Sequence, residues 1–232
     1  MRFPLSTTYH EVQPSLSAER EAAIHLLSYF PEIPLTVDAY LTQRNIGQDA
    51  LWPSVQLLPG IRRLVLHLRK HNIPIAVATS SKRRNYSLKT GHLAEVFRCF
   101  EDNVVCGDDH PGKMRGKPEP DIFLTAAREC LGRKVGESTD CSEEEKEERS
   151  KGLILEDAIP GMQAGKKAGM SGECEHVHDV VMIHHICSSV VVWVPDAKLL
   201  DVEFAGPERA DQILKSVEEF APEQWGLPQY DS

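Results

Sequence analysis

Residues 152–170, GLILEDAIPGMQAGKKAGM, restrict the fold more than any other stretch of the chain. Leu153, Ile154 and Leu155 form a short apolar run without alternation, which predicts a parallel strand covered on both faces. Glu156 and Asp157 follow at once, so two carboxylates fall at the carboxyl end of that strand, where open α/β sheets place their ligand sites. Pro160 suits the first turn of a following helix and Gly169 its C-terminal stop. Gly161 and Gly165, four apart, leave one face of that helix bare enough to lie close on a sheet. The acidic pair has no cation beside it in sequence. Its residue types suit magnesium, a hard ion that takes oxygen ligands; the alternative is a solvated turn that caps the helix.

The same grammar recurs upstream. Pro59 and Gly60 open a helix with Ile61, Leu64, Val65 and Leu68 on one face, and Asn72 stands where a left-handed C-cap is expected. A buried strand from Ile73 to Ala78 then ends in the hydroxyls of Thr79 and Ser80. KRRNYSLKT begins another helix, and Val104, Val105 and Cys106 form a third apolar run closed by Gly107, Asp108 and Asp109. GKPEPDIFLTAAREC enters a helix at about Asp121, and VVVWVPD is a further strand. Strands alternating with helices predict a doubly wound parallel sheet. Earlier in the chain, Ser17 caps a helix carrying Ala23, Ile24, Leu27 and Phe30, and Thr36 caps a second through Val37, Tyr40 and Leu41. These make a small helical unit over 17–56, ahead of an α/β core over 57–232, while residues 1–16 receive no assignment.

Two stretches fit the pattern poorly. Residues 132–151, GRKVGESTDCSEEEKEERSK, are charged and apolar-poor, and read as a solvated loop in preference to an acidic interaction tail. The segment SGECEHVHDVVMIHHICSS separates the helix that ends near Gly169 from the strand VVVWVPD. Cys174, His176, His178, His184, His185 and Cys187 within it have metal-binding side chains. The preferred reading is a non-native insertion over 171–189: Gly172-Glu173-Cys174 is what a GGTGAGTG splice donor would encode, and Cys187-Ser188 can encode a TGCAG acceptor.

A net charge of −9 argues against nucleic acid or an anionic membrane as partner, since either needs a basic face. Six cysteines without a C-x-x-C pair indicate neither a zinc site nor a disulfide framework. With no apolar run near the ~20 residues of a membrane span, the expectation is a cytoplasmic protein.

Thr79, Lys117 and the Glu156–Asp157 pair, in this order at strand ends, resemble the second, third and fourth motifs of the haloacid dehalogenase-like phosphohydrolases. KPEPDIF and LEDAIPGMQAGKKAGM are close to the wording of the subfamily with a helical cap, and the resemblance covers about residues 17–232. It implies a Rossmann-like core with a partly truncated helical cap. The activity implied is magnesium-dependent hydrolysis of a small phosphorylated metabolite, such as pseudouridine 5'-phosphate or a sugar phosphate. In that site Thr79 and the Ser80 backbone N–H would hold phosphoryl oxygens, Lys117 would neutralise charge, and Glu156 and Asp157 would hold Mg2+.

One motif is missing. The family's first motif, an Asp-x-Asp ending the first strand, supplies the nucleophile and the general acid and base, and this sequence contains no Asp-x-Asp. A covalent route has no attacking group left, and the chain as written is expected to be inactive. A central strand of ~5 buried residues contributes about 8–15 kcal/mol, so a sheet without it should be marginal. An incomplete translation is the preferred explanation. The alternative is a noncatalytic relative that binds a phosphorylated ligand or a protein partner.

Overall fold

The structure, a computed structural model, describes residues 18–138, 140–169, 190–194 and 209–231. The expected cap at Ser17 and the insertion with its histidines and cysteines lie outside the described residues. The chain divides into two compact units between Leu51 and Trp52.

In the first unit, α1 (Ala18–Ser28) and α2 (Val37–Leu51) pack on each other. Thr36 caps α2 as its side chain predicts: Oγ1 accepts the Ala39 N–H at 3.2 Å. Arg20 pairs with Asp38, and Arg44 with Glu19 at 3.4 Å. The apolar stripe expected on α1 is largely open. Ala23 is buried, whereas Ile24 and Phe30 remain exposed, because two short helices cannot enclose a face as wide as the one the pattern provides.

The second unit is α/β. Helix α3 (Ile61–Lys70) buries Leu64, Val65 and Leu68 and turns its arginines outward; the three contribute on the order of 5–9 kcal/mol. Asn72 ends it with φ 56°, while the Ile73 N–H closes back on Leu68 O at 2.9 Å. Strand β1 (Val77–Thr79) follows, then α4 (Arg83–Thr90), the short α5 (Ala94–Phe97) and β2 (Val104–Cys106). Next come α6 (Asp121–Thr125), which runs into a π-turn over Ala126–Cys130, and α7 (Glu143–Ser150). Strand β3 (Leu153–Glu156), α8 (Ile159–Lys167), β4 (Val190–Trp193) and β5 (Gln212–Ile213) follow among the described residues.

Among the described residues all the strand pairings are parallel. β1 pairs β2 with Val77 opposite Val104, and β3 pairs β4 with Leu153 opposite Val190, β5 lying outside β4. Alternate residues feed two apolar layers. Val77, Leu153, Leu155 and Val192 face one layer with Leu64 and Phe220; Ala78, Ile154, Val191 and Trp193 face the other with Phe123 and Met162.

The parallel α/β arrangement is the expected one, and its sheet comes in two pieces, β1–β2 and β3–β4–β5; among the described residues no ladder joins β1 to β3. Two expectations within it are corrected. The strand expected from Ile73 to Ala78 is correspondingly short: Ile75 and Ala76 are buried, yet laddering begins only at Val77, because β2 offers a partner no earlier. The expected loop 132–151 contains helix α7. Its charges are ordered instead of repelling: Ser142 and Glu145 form a reciprocal capping box, Glu143–Glu145 lie at the positive end of the helix dipole, and Lys146 pairs with Glu143 at 2.6 Å. Among the described residues no helix is long and apolar enough to cross a membrane.

Candidate active site at the carboxyl ends of β1 and β3

Glu156 ends β3 with only 9 % of its surface exposed. Its backbone carbonyl accepts the Val194 N–H at 2.8 Å, and the Asp157 carbonyl accepts the Trp193 indole N–H at 3.0 Å. The end of β4 thereby fixes the acidic turn. The packing of α8 sets the rest. A Cβ at Gly165 would come within 2.8 Å of Ile154, and one at Gly161 would overlap the Glu156 carboxylate. These two glycines let the helix approach both the strand and the acid.

Lys117 lies in the turn before α6 and pairs its ammonium with the Glu156 carboxylate. The same Nζ lies 3.4 Å from Ala78 O in β1 and 4.6 Å from the centre of the Phe123 ring. The lysine thus reaches both halves of the divided sheet. Burial pushes the Glu156 carboxyl above its usual range, and the charge and hydrogen bond of Lys117 oppose that rise. The side chain of Asp157, one residue on, is exposed. A cavity of about 120 Å³ opens beside the two acids, walled by Leu58, Ile61, Leu155 and Val194.

At the end of β1, Thr79 Oγ1 accepts the Ser81 N–H at 3.1 Å, which leaves its own O–H to donate. Ser80 is exposed in the same turn. Gly107 packs against it so closely that a Cβ there would lie 2.6 Å from Ser80 O. Sequence reasoning missed the brace beneath this turn. Arg83 pairs with Asp109 and donates to Val104 O at 2.8 Å, while Asp109 accepts the Cys106 N–H at 2.6 Å. The Gly107-Asp108-Asp109 run closing an apolar strand was its available signal. Cys106 is fully buried and burial pushes its thiol up to about 11, so it offers no reactive thiolate to this site.

A carboxylate pair, a half-buried lysine and donor groups at the end of β1 make an arrangement suited to holding a phosphoryl group and a hard cation. A family model of the haloacid dehalogenase-like hydrolases matches residues 10–169. The chain belongs to this family. Among similar proteins, (DL)-glycerol-3-phosphatase 2 of Arabidopsis thaliana is 36 % identical over 197 residues, covering 85 % of this chain and 67 % of that protein. A probable pseudouridine-5'-phosphatase of Drosophila melanogaster is 33 % identical, with 86 % of this chain and 71 % of that protein covered. The fold likeness extends to a solved haloacid dehalogenase family hydrolase from Deinococcus radiodurans R1 with bound phosphate and sodium. Its TM-score is 0.52 at 19 % identity, with 91 % of this chain and 75 % of that one covered.

Proposed function

We propose that this haloacid dehalogenase-like chain carries the phosphate- and magnesium-binding half of a phosphatase acting on a small phosphorylated metabolite. The observation that carries this reading is the pairing of Lys117 with the buried Glu156 beside the exposed Asp157. The donor set fits magnesium: two adjacent carboxylates, one buried against the Lys117 ammonium and one open to solvent. Magnesium, when bound there by Glu156 and Asp157, neutralises charge on phosphoryl oxygens. Lys117 places a second positive charge at the same point, the Thr79 O–H donates to a phosphoryl oxygen, and the Ser80 N–H lies beside it. Pseudouridine 5'-phosphate, glycerol 3-phosphate and simple sugar phosphates are the substrates to try, given the names of the relatives.

Turnover is a separate matter from binding. No Asp-x-Asp occurs in the sequence, and loss of a covalent nucleophile costs on the order of 10⁴-fold or more in kcat. The absence favours a second reading, a noncatalytic binder of phosphorylated ligands, for the chain as it stands. The test is hydrolysis of those three substrate types with magnesium, alongside magnesium-dependent binding of inorganic phosphate. We expect binding without turnover above background, and turnover once a strand ending in Asp-x-Asp and the start of the cap are placed ahead of Ser17. Robust hydrolysis by the unextended chain, abolished by Asp157→Asn, would mean that another carboxylate has taken over the attack.

A further inference from the structure

Far along the chain from the acidic pair, helix α3 and the C-terminal tail bring together His67, His71 and Asp231. One ligand atom from each residue lies within 4.8 Å of the others. His67 and His71 are four residues apart, so a single helix face presents both imidazoles. His67 Nε2 lies 2.7 Å from Pro228 O. A carbonyl only accepts, so Nε2 carries the proton and Nδ1 the lone pair. That is the device by which a second partner fixes the tautomer of a ligating histidine. His71 Nε2 is shut off from solvent and has no hydrogen-bond partner, although buried ring nitrogens ordinarily find one. Asp231 is exposed; its Oδ2 accepts from Lys70 at 2.6 Å, and the carboxylate has a second oxygen.

We infer that His67, His71 and Asp231 form a binding site for a divalent transition metal of the zinc type, which clamps the C-terminal tail onto α3. Two imidazoles and a carboxylate, with a fourth position for water, are a ligand set zinc takes. Bonds of about 2.0 Å hold tetrahedral ligands about 3.3 Å apart, so any pair standing nearer the 4.8 Å bound must draw closer. The partly exposed His71 and the exposed Asp231 can make that movement by side-chain rotation. Tyr230 already packs on His67 at 4.8 Å between ring centres, and Arg63 covers Tyr230 at 3.7 Å. The tail is thus seated for closure. Asp231 would exchange its contact with Lys70 for the metal, and His71 Nε2 would gain the partner it lacks. Neither the phosphate site nor magnesium takes part.

The test titrates Zn2+ against a chromophoric chelator, using the full chain with His176, His178, His184 and His185 replaced by Gln to remove competing imidazoles. One equivalent should bind. Adding His71→Gln, or separately the solvent-exposed Asp231→Asn, should weaken binding at least ~10-fold. Zn2+ should also slow amide exchange over residues 226–231 in the parent and not in His71→Gln. If the parent binds no Zn2+, or if both variants bind it as tightly as the parent, the site does not exist.

Discussion

Gly161 lies against the Glu156 carboxylate so closely that no side chain fits between helix α8 and the acid. Gly161→Ala must therefore push out either the helix or the carboxylate, and is expected to destabilise by about 1–3 kcal/mol while disturbing the Lys117 pair. Gly47→Ala, in the exposed middle of α2 with nothing within 4 Å of its Cβ, should instead stabilise by roughly 0.5–1 kcal/mol. Urea denaturation of both variants compares them, and a neutral Gly161→Ala would show that α8 does not rest on Glu156.

Lys117→Met should leave Glu156 buried without its counter-charge, a change costing about 3–5 kcal/mol at neutral pH. The cost depends on pH. Burial already holds the folded-state carboxyl above its usual range, and removing Lys117 takes away what opposes that rise. The folded chain then keeps its proton while the unfolded chain releases one. Stability falls as pH rises from the ordinary carboxylate range through the raised folded value, and levels off above it. The gap between variant and wild type should accordingly widen with rising pH; a gap that narrows would contradict the pairing.

Arg149 is 1 % exposed and donates from Nε to Val135 O at 2.5 Å and from Nη2 to Ser138 O at 2.6 Å. It ties helix α7 to the segment before it. Arg149→Met keeps much of the stem's packing but strips both carbonyls of a charged donor, so a loss of about 2–4 kcal/mol is expected. Amide exchange over residues 133–138 should speed up more than exchange in β3. Uniform acceleration throughout the unit would mean that Arg149 contributes bulk and not a tether.

Ser142→Ala removes one half of the capping box, and about 1 kcal/mol should go with it. Because Glu145 returns the bond to the Ser142 N–H at 2.8 Å, Ser142→Ala and Glu145→Ala should be less than additive when combined. Strict additivity in thermal melts would sink the reciprocal cap.

Much of this was legible in one dimension. Thr36, Asn72, Pro160 and Gly169 mark helix ends by their own backbone and side-chain chemistry, which needs no distant partner. The LILED run located both the strand and its acids for the same local reason. Helix α7 was not legible, because a charge-rich segment repels itself or orders itself depending on which carboxylate meets which amine, and on where Arg149 finds its carbonyls. The open stripe on α1 was equally hidden: Ile24 and Phe30 announce a buried face, but a pattern of apolar residues does not contain the surface that would cover it.

The sequence by itself determined the alternating α/β order, the family, the candidate residues Thr79, Lys117, Glu156 and Asp157, and the lack of an Asp-x-Asp, since each is a matter of residue type and spacing. Tertiary structure alone decided that Lys117 spends its charge on Glu156, that the sheet divides between β1 and β3, and that His67 and His71 meet Asp231. These depend on residues 39 to 164 positions apart reaching one point. Whether they meet is set by burial and chain closure over the whole unit, which no local pattern encodes.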